Sequence, residues 1–484
     1  MPSTLQEFFT LMTPIYPEVV VITVALTVLL LDLFVRKEQK SSLGWYSLAG
    51  VIIAALATFK LMGVTGSFFA GTFLLDRFSV YFKFSFYVAC SLGILVSINY
   101  LKIEDIHRGE YYALMLFATA GMMLMASAGD LITIYLGLEL MAMSIYVLAG
   151  FMRRDSRSNE AAIKYLLLGS FSSGIMLYGM SLLYGMSGTT NLAGIHAFLR
   201  GADLANPMVF LAMIMLIVSF GFKIAAAPFH MWVPDVYEGA PTSVTAFMSA
   251  GPKIAGFAVL LRVFSYALQP LQHDVTTIIA GIAVLTMAVG NIIALSQTNI
   301  KRMLAYSSIA HAGYALVGIA AGGPEGVASV MMYVFIYAVM NMGAFGIVIM
   351  LRRSGERGEE IKDFAGLGKT NKMAAFFMLI FMFSLTGIPP TAGFMGKFYI
   401  FKAAIQADMV RLAVVGVIFS AISAYFYLRV IMVMYMSEPQ AEFKLATAPS
   451  LAIALVFSLV TVIYIGVYPD NVLNFARASI AAIL

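Results

Sequence analysis

Four ionisable side chains stand in apolar surroundings where inert packing has no use for a charge: Glu139, Lys223, Lys253 and Lys397. Lys223 follows the apolar run Met208–Phe222 and precedes Pro228, Pro234 and Pro241. Lys397 follows Gly387-Ile-Pro-Pro-Thr-Ala-Gly393, with Pro389 and Pro390 adjacent. Proline removes a backbone donor and clashes with the turn before it, so a helix entering either segment should break. In lipid, a broken helix is tolerated only where its freed groups meet protein or water. An ionisable side chain beside such a break marks a polar pathway. Glu139 lies inside the run Ile132–Ile145, and Lys253 follows Gly251-Pro252.

The chemistry that suits one carboxylate and spaced amines is proton transfer. Low dielectric removes the solvation of an ammonium group, and a nearby carboxylate restores part of it. Bringing the influence of Glu139 toward Lys223, or taking it away, would load and eject a proton with no nucleophile or metal. Each central charge costs roughly 2.5–3.5 kcal/mol on insertion scales, about 10 kcal/mol for the set. A structural ion pair between Glu139 and one lysine would leave two lysines unexplained. Lys164 and His311, the latter in Tyr306-Ser-Ser-Ile-Ala-His311, would extend the route. Asp235 and Glu238 near His230 fit no metal-ligand spacing and read as fixing a turn. No phosphate-binding loop is present, so ATP is not expected to drive the process. The single cysteine, Cys90, excludes an internal disulfide and a cysteine-ligated cluster.

The elements that must position these residues are membrane helices. The chain of 484 residues is 61% hydrophobic and 11% charged, against about 25% charged in soluble domains. Apolar runs of about 20 residues, each enough for one crossing, recur from end to end. They predict an all-α polytopic membrane protein of about fourteen transmembrane helices, at 15–35, 43–62, 79–99, 111–128, 130–150, 161–185, 207–227, 243–268, 275–296, 302–321, 326–351, 372–406, 411–436 and 449–468. The seventh and twelfth are broken, and 186–206 reads as a short interfacial helix. The breaks are five crossings apart, an odd number, which suggests two inverted five-helix repeats. The organisation is then N-terminal helices in 1–110, a first unit in 111–268, an inverted second unit in 275–436 and a C-terminal helix in 449–484.

Lys and Arg crowd one face, including Arg36, Lys40, Arg108, Arg153, Arg302, Arg353, Arg357 and Lys444. Arg77, Arg200, Arg411 and Arg477 are on the other, which places both termini outside. The formal charge of +5 therefore reflects topology and not nucleic-acid binding. Glu18, Asp32, Lys60 and Lys402 are expected near span ends, where long side chains snorkel to the surface. Arg262 and Arg429 lie a turn or two deeper and are expected to be structural.

Lys223-Ile-Ala-Ala-Ala-Pro-Phe-His-Met-Trp-Val-Pro-Asp-Val-Tyr-Glu-Gly-Ala-Pro-Thr242 and Thr386-Gly-Ile-Pro-Pro-Thr-Ala-Gly-Phe-Met-Gly-Lys-Phe398 resemble the antiporter-like membrane subunits of respiratory complex I, relatives of Mrp cation/proton antiporters. The resemblance covers about residues 15–470. Glu160–Gly174, Ala250–Gly256 and Ala305–Tyr314 are similar to the N-type subunits of NADH-quinone oxidoreductase, as are Lys397, where M-type subunits carry Glu, and the absence of a long C-terminal extension. The resemblance implies that Glu139 and Lys223 form a modulating pair with Lys164 close by, that Lys253 connects the two units and that Lys397 is a terminal proton site. It implies no redox cofactor in this chain, with flavin and iron–sulfur clusters in partner subunits, and other membrane-arm subunits and the bilayer as partners. Quinone reduction elsewhere would supply the energy, in a bacterial inner membrane. Two alternatives stand beside this one: an Mrp-type Na⁺/H⁺ antiporter or membrane-bound hydrogenase subunit, and a structural membrane scaffold. A cation site would want clustered carboxylates, whereas the deep set here is one Glu and three lysines.

Overall fold

The computed structural model describes residues 12–352, 358–439 and 448–480. Arg353, Arg357 and Lys444, counted above in the charge asymmetry, lie outside them. Helices dominate: α1 (Tyr16–Asp32), α2 (Ser41–Lys60), α3 (Arg77–Ile103), α4 (Gly109–Ser127), α5 (Leu131–Ala149), α6 (Ser156–Ser187), α7 (Leu192–Gly201), α8 (Pro207–Ile224), α9 (Trp232–Gly239), α10 (Thr242–Arg262), α11 (Gln272–Ala294), α12 (Ile300–Ala321), α13 (Gly323–Leu351), α14 (Lys372–Thr386), α15 (Ala392–Gln406), α16 (Val410–Met436), α17 (Pro449–Val467) and α18 (Asp470–Ile480). A small antiparallel hairpin, β1 (Gly66–Phe68) and β2 (Phe73–Leu75), joins α2 to α3. Among the described residues, twelve helical segments are long and apolar enough to cross a membrane. This is a multi-pass membrane protein. The amphipathic α7, in the stretch expected to lie at the interface, buries Leu192, Ile195 and Leu199.

The helix starts are set by side-chain caps in the loops, which occupy donors the first turn leaves unpaired. Asp76 and Ser79 cap each other's backbone at the start of α3. Asp130, Asp155, Asn206, Asn299 and Asn371 cap α5, α6, α8, α12 and α14. Lipid tails are as apolar as leucine, so close packing of small residues must hold the helices together. A Cβ on Gly121 of α4 would meet the Gly137 carbonyl of α5 at 2.5 Å, and one on Gly290 of α11 would meet the Ala310 nitrogen of α12 at 2.5 Å. The centre of the molecule is α10, buried along its whole length, with α12 and α13 nearly so. Outer helices such as α5, α6 and α16 expose Leu136, Phe171, Val414 and Tyr425.

Both expected breaks lie between helices. α8 ends at Ile224, with Ala225 left-handed (φ 65°), and α9 begins after Pro228. α14 ends at Thr386, with Gly387 left-handed (φ 91°), and α15 begins after Pro389 and Pro390. At the second break α15 crosses the end of α14 so closely that a Cβ on Gly393 would sit 1.7 Å from the Ser384 carbonyl. Only glycine fits there.

One expectation is corrected. Glu18 does not snorkel: it is fully buried, and its carboxylate lies 2.7 Å from Lys83 Nζ of α3, itself fully buried. Proximity to a span end in sequence says nothing about which way a side chain points. Here α1 packs Glu18 inward against α3. Asp32 accepts from the Gly109 backbone at 2.8 Å and pairs with Lys40 at 2.9 Å. Lys60 and Lys402 are exposed. Arg262 makes a two-pronged pair with Asp76 at 2.9 and 3.1 Å and donates to the Ala126 carbonyl at 2.9 Å. Arg429 donates to the Leu295 and Gln297 carbonyls.

Candidate functional site

The last turn of α8 carries Lys223 into the interior, 7% exposed. The chain then turns at left-handed Ala225, and the backbone groups freed by the break find protein partners. Ala226 N–H donates to the Gly221 carbonyl at 2.8 Å. Ala227 N–H donates to Thr286 Oγ1 at 2.9 Å. Trp232 Nε1 donates to the Phe222 carbonyl at 3.1 Å. Among the described residues Lys223 Nζ finds no acceptor to donate to, and it sits 5.6 Å from the centre of the Phe222 ring.

Glu139, half-buried on α5, accepts a short 2.5 Å hydrogen bond from Ser173 of α6. No ion pair joins it to a lysine among the described residues. The expected Glu139–Lys223 pair is therefore not a closed contact in this arrangement. Lys164 makes ion pairs with Glu160 at 2.6 Å and Asp235 at 2.9 Å.

Lys253 lies inside α10, one residue after Pro252. A Cβ on Gly256, one turn later, would touch Ile224 at 2.8 Å, so this part of α10 packs directly on the end of α8. Lys253 Nζ donates to the Ser308 carbonyl of α12 at 2.5 Å and lies 5.6 Å from the centre of the Tyr337 ring of α13. His311, one turn beyond Ser308, is tied at both nitrogens: Nδ1 to the Tyr333 hydroxyl at 2.6 Å and Nε2 to the Tyr427 hydroxyl at 3.1 Å. Tyr427 also shares a 2.5 Å hydrogen bond with Ser307. The Tyr337 ring is 5.0 Å, and the Tyr314 ring 5.7 Å, from the His311 ring. Lys397 Nζ lies 4.8 Å from the Tyr314 ring centre.

Lys397 uses what the second break leaves over. Its Nζ donates to the carbonyls of Leu385 at 3.1 Å and Thr386 at 2.8 Å, the C-terminal carbonyls of α14, and to Ser420 Oγ of α16 at 2.9 Å. Unpaired carbonyls at a helix C-terminus carry partial negative charge and favour a cation. A cavity of about 630 Å³ between α15 and α16 reaches Lys397 from the side.

The structure thus brings Lys253, His311 and Lys397 into one tract along α12 and sets Lys223 next to it through the α8–α10 contact. Among the described residues Glu139 and Lys164 make no direct hydrogen bond or ion pair to the side chains of that tract. Tyr333, Tyr337 and Tyr427, which carry much of the tract, were not singled out from the sequence. A signal existed. Tyr333, Tyr337 and Asn341 recur every four residues in an otherwise apolar run, which places them on one helix face. Asn341 donates from that face to Ser249 of α10 at 2.6 Å. Among the described residues no group of three or more His, Cys, Asp and Glu is placed to hold a metal.

The family model described as "NADH:quinone oxidoreductase/Mrp antiporter, TM" matches residues 128–423, from the start of α5 to the middle of α16. "NADH-quinone oxidoreductase subunit N 2" of Rhizobium meliloti is 51% identical over 96% of this chain and 96% of its own length. "NADH-quinone oxidoreductase subunit N" of Trichlorobacter lovleyi is 48% identical over 97% of each. Among solved structures, a chain of respiratory complex I from Thermus thermophilus is 31% identical, with a TM-score of 0.81 over 96% of this chain and 100% of that one. A chain of the Mrp complex from Dietzia, 21% identical with a TM-score of 0.85, shares the fold. The chain belongs to the NADH:quinone oxidoreductase/Mrp antiporter family of membrane subunits, in its NADH-quinone oxidoreductase subunit N branch.

Proposed function

We propose that this chain is a proton-translocating membrane-arm subunit of NADH-quinone oxidoreductase, coupling quinone reduction elsewhere in the complex to proton transfer through Lys223, Lys253, His311 and Lys397. Glu139 modulates the protonation of Lys223, and Lys164 belongs to the charged surroundings of that pair. The observation that carries this reading is the set of three deep lysines held by carbonyls, hydroxyls and aromatic faces, with a doubly bonded histidine between two of them. A group held by dipoles can exist with or without its proton, which is what a relay needs.

In this reading the polypeptide crosses the membrane about fourteen times. Residues 111–268 and 275–436 form two inverted five-helix units, residues 1–110 add the N-terminal helices and 449–484 the C-terminal one. The two left-handed helix ends, at Ala225 and Gly387, support the repeat. The basic loops place both termini on the periplasmic side of a bacterial inner membrane. The chain holds no redox centre, and flavin and iron–sulfur clusters belong to partner subunits. Replacing Lys223 or Lys253 with Met in the assembled complex tests the function. Loss of proton uptake with the complex intact is expected, and unchanged uptake would favour a structural scaffold.

A further inference from the structure

The short helix α9, which follows the first break, is gripped from two directions. Asp235 Oδ2 accepts from Lys164 Nζ of α6 at 2.9 Å, and its Oδ1 accepts from Arg302 Nη1 of α12 at 3.0 Å. Glu238, one turn on, accepts from the same Arg302 nitrogen at 2.8 Å and lies 3.9 Å from Arg157. Lys301 donates to the carbonyls of Glu238 at 2.7 Å and Ala240 at 2.8 Å. The start of α9 is fixed to the break itself: Trp232 donates to the Phe222 carbonyl, and its ring stacks at 4.3 Å on Tyr165, the neighbour of Lys164. Asp235 by two hydrogen bonds, and Glu238 with a longer 3.9 Å approach to Arg157, thus bridge α6, whose Ser173 holds Glu139, and α12, which carries Ser308 and His311.

These pairs are poor glue. The Lys164 and Asp235 side chains are about 40% exposed, and ion pairs that exposed add little to stability. Their geometry is specific all the same, since Asp235 hydrogen-bonds both Lys164 of α6 and Arg302 of α12, whereas Glu238 reaches α6 only at 3.9 Å. We propose that Asp235 is a positioning residue that couples the two five-helix units. A shift of α6 at Lys164 is passed through α9 to the first turn of α12, and so to the contacts that Ser308 and His311 make further along it. This rests on the proton-translocation reading above.

The test measures protons moved per electron pair in assembled, membrane-reconstituted complexes. Asp235→Asn is expected to lower that ratio by the loss of this site-to-site coupling, while Asp235→Glu keeps it. Lys164→Gln and Arg302→Gln each lower it, and the double variant falls by less than the product of the two losses, because both act on Asp235. A wild-type ratio in Asp235→Asn overturns the proposal, and so do Lys164 and Arg302 losses that multiply in the double variant. If Asp235→Asn does not assemble, the Lys164/Arg302 set decides alone. Lys223→Met, run in parallel, separates the two failures. If it lowers the ratio while Asp235→Asn does not, only the coupling role falls. If neither lowers it, the proton-transfer reading falls.

Discussion

Lys83 and Lys253 are both buried lysines, yet they are held by different things. Lys83 faces the carboxylate of Glu18 at 2.7 Å, with both side chains fully buried between α1 and α3. Arg262 and Asp76, between α10 and the start of α3, repeat that pattern. Lys253 rests on a backbone carbonyl, Lys397 on two carbonyls and a hydroxyl, and Lys223 on no acceptor among the described residues. In the first group each charge is fixed by its opposite, and losing a proton would strand a buried carboxylate. In the second group no fully buried counter-charge is stranded, so the proton is free to come and go. The number of buried charges does not distinguish a lock from a relay. What faces them does.

This comparison can be broken or sharpened by substitution, and the effects on stability rank accordingly. Lys83→Met leaves Glu18 buried and alone, at a cost of about 3–5 kcal/mol. The yield and Tm of the assembled complex should fall sharply, and Glu18→Leu combined with Lys83→Met should restore most of both. Failure of the double variant to recover would show that the pair does more than hold α1 to α3. Arg262→Leu should cost less, about 2 kcal/mol, because Asp76 keeps its bond from the Ser79 backbone. Tyr427→Phe removes a hydroxyl shared by His311 and Ser307 and should cost about 1 kcal/mol. It should also slow proton transfer, whereas Lys83→Met paired with Glu18→Leu should not. At Lys397 the variants are read by proton transfer alone. There Lys397→Glu should retain proton transfer and Lys397→Ala should lose it, read as acidification of vesicles per electron pair.

The sequence made the second group legible and hid the first. Lys223, Lys253 and Lys397 announce themselves because each lies in an apolar run beside a proline. Glu18 and Lys83 are 65 residues apart in the chain, and only the packing of α1 on α3 shows that they meet. Distance from a span end fixes depth, not direction, which is why Glu18 read as snorkelling. Lys164 illustrates the same limit. Its position on α6 was plain, and Glu160 lies one turn away on the same helix, but its partner Asp235 depends on where the first break sends α9. The helix order and both breaks could be read because hydropathy and proline act locally. The tyrosines around His311 could not be ranked by type alone, since a buried Tyr in an apolar helix is ordinarily packing.

The most direct measurement takes Lys223→Met in the assembled complex and records Tm and proton uptake per electron pair on the same preparation. With no carboxylate stranded by the change, Tm should stay level or rise, while proton uptake is lost. A Tm that drops as in Lys83→Met, with uptake per assembled complex unchanged, would place Lys223 among the locks and contradict the account.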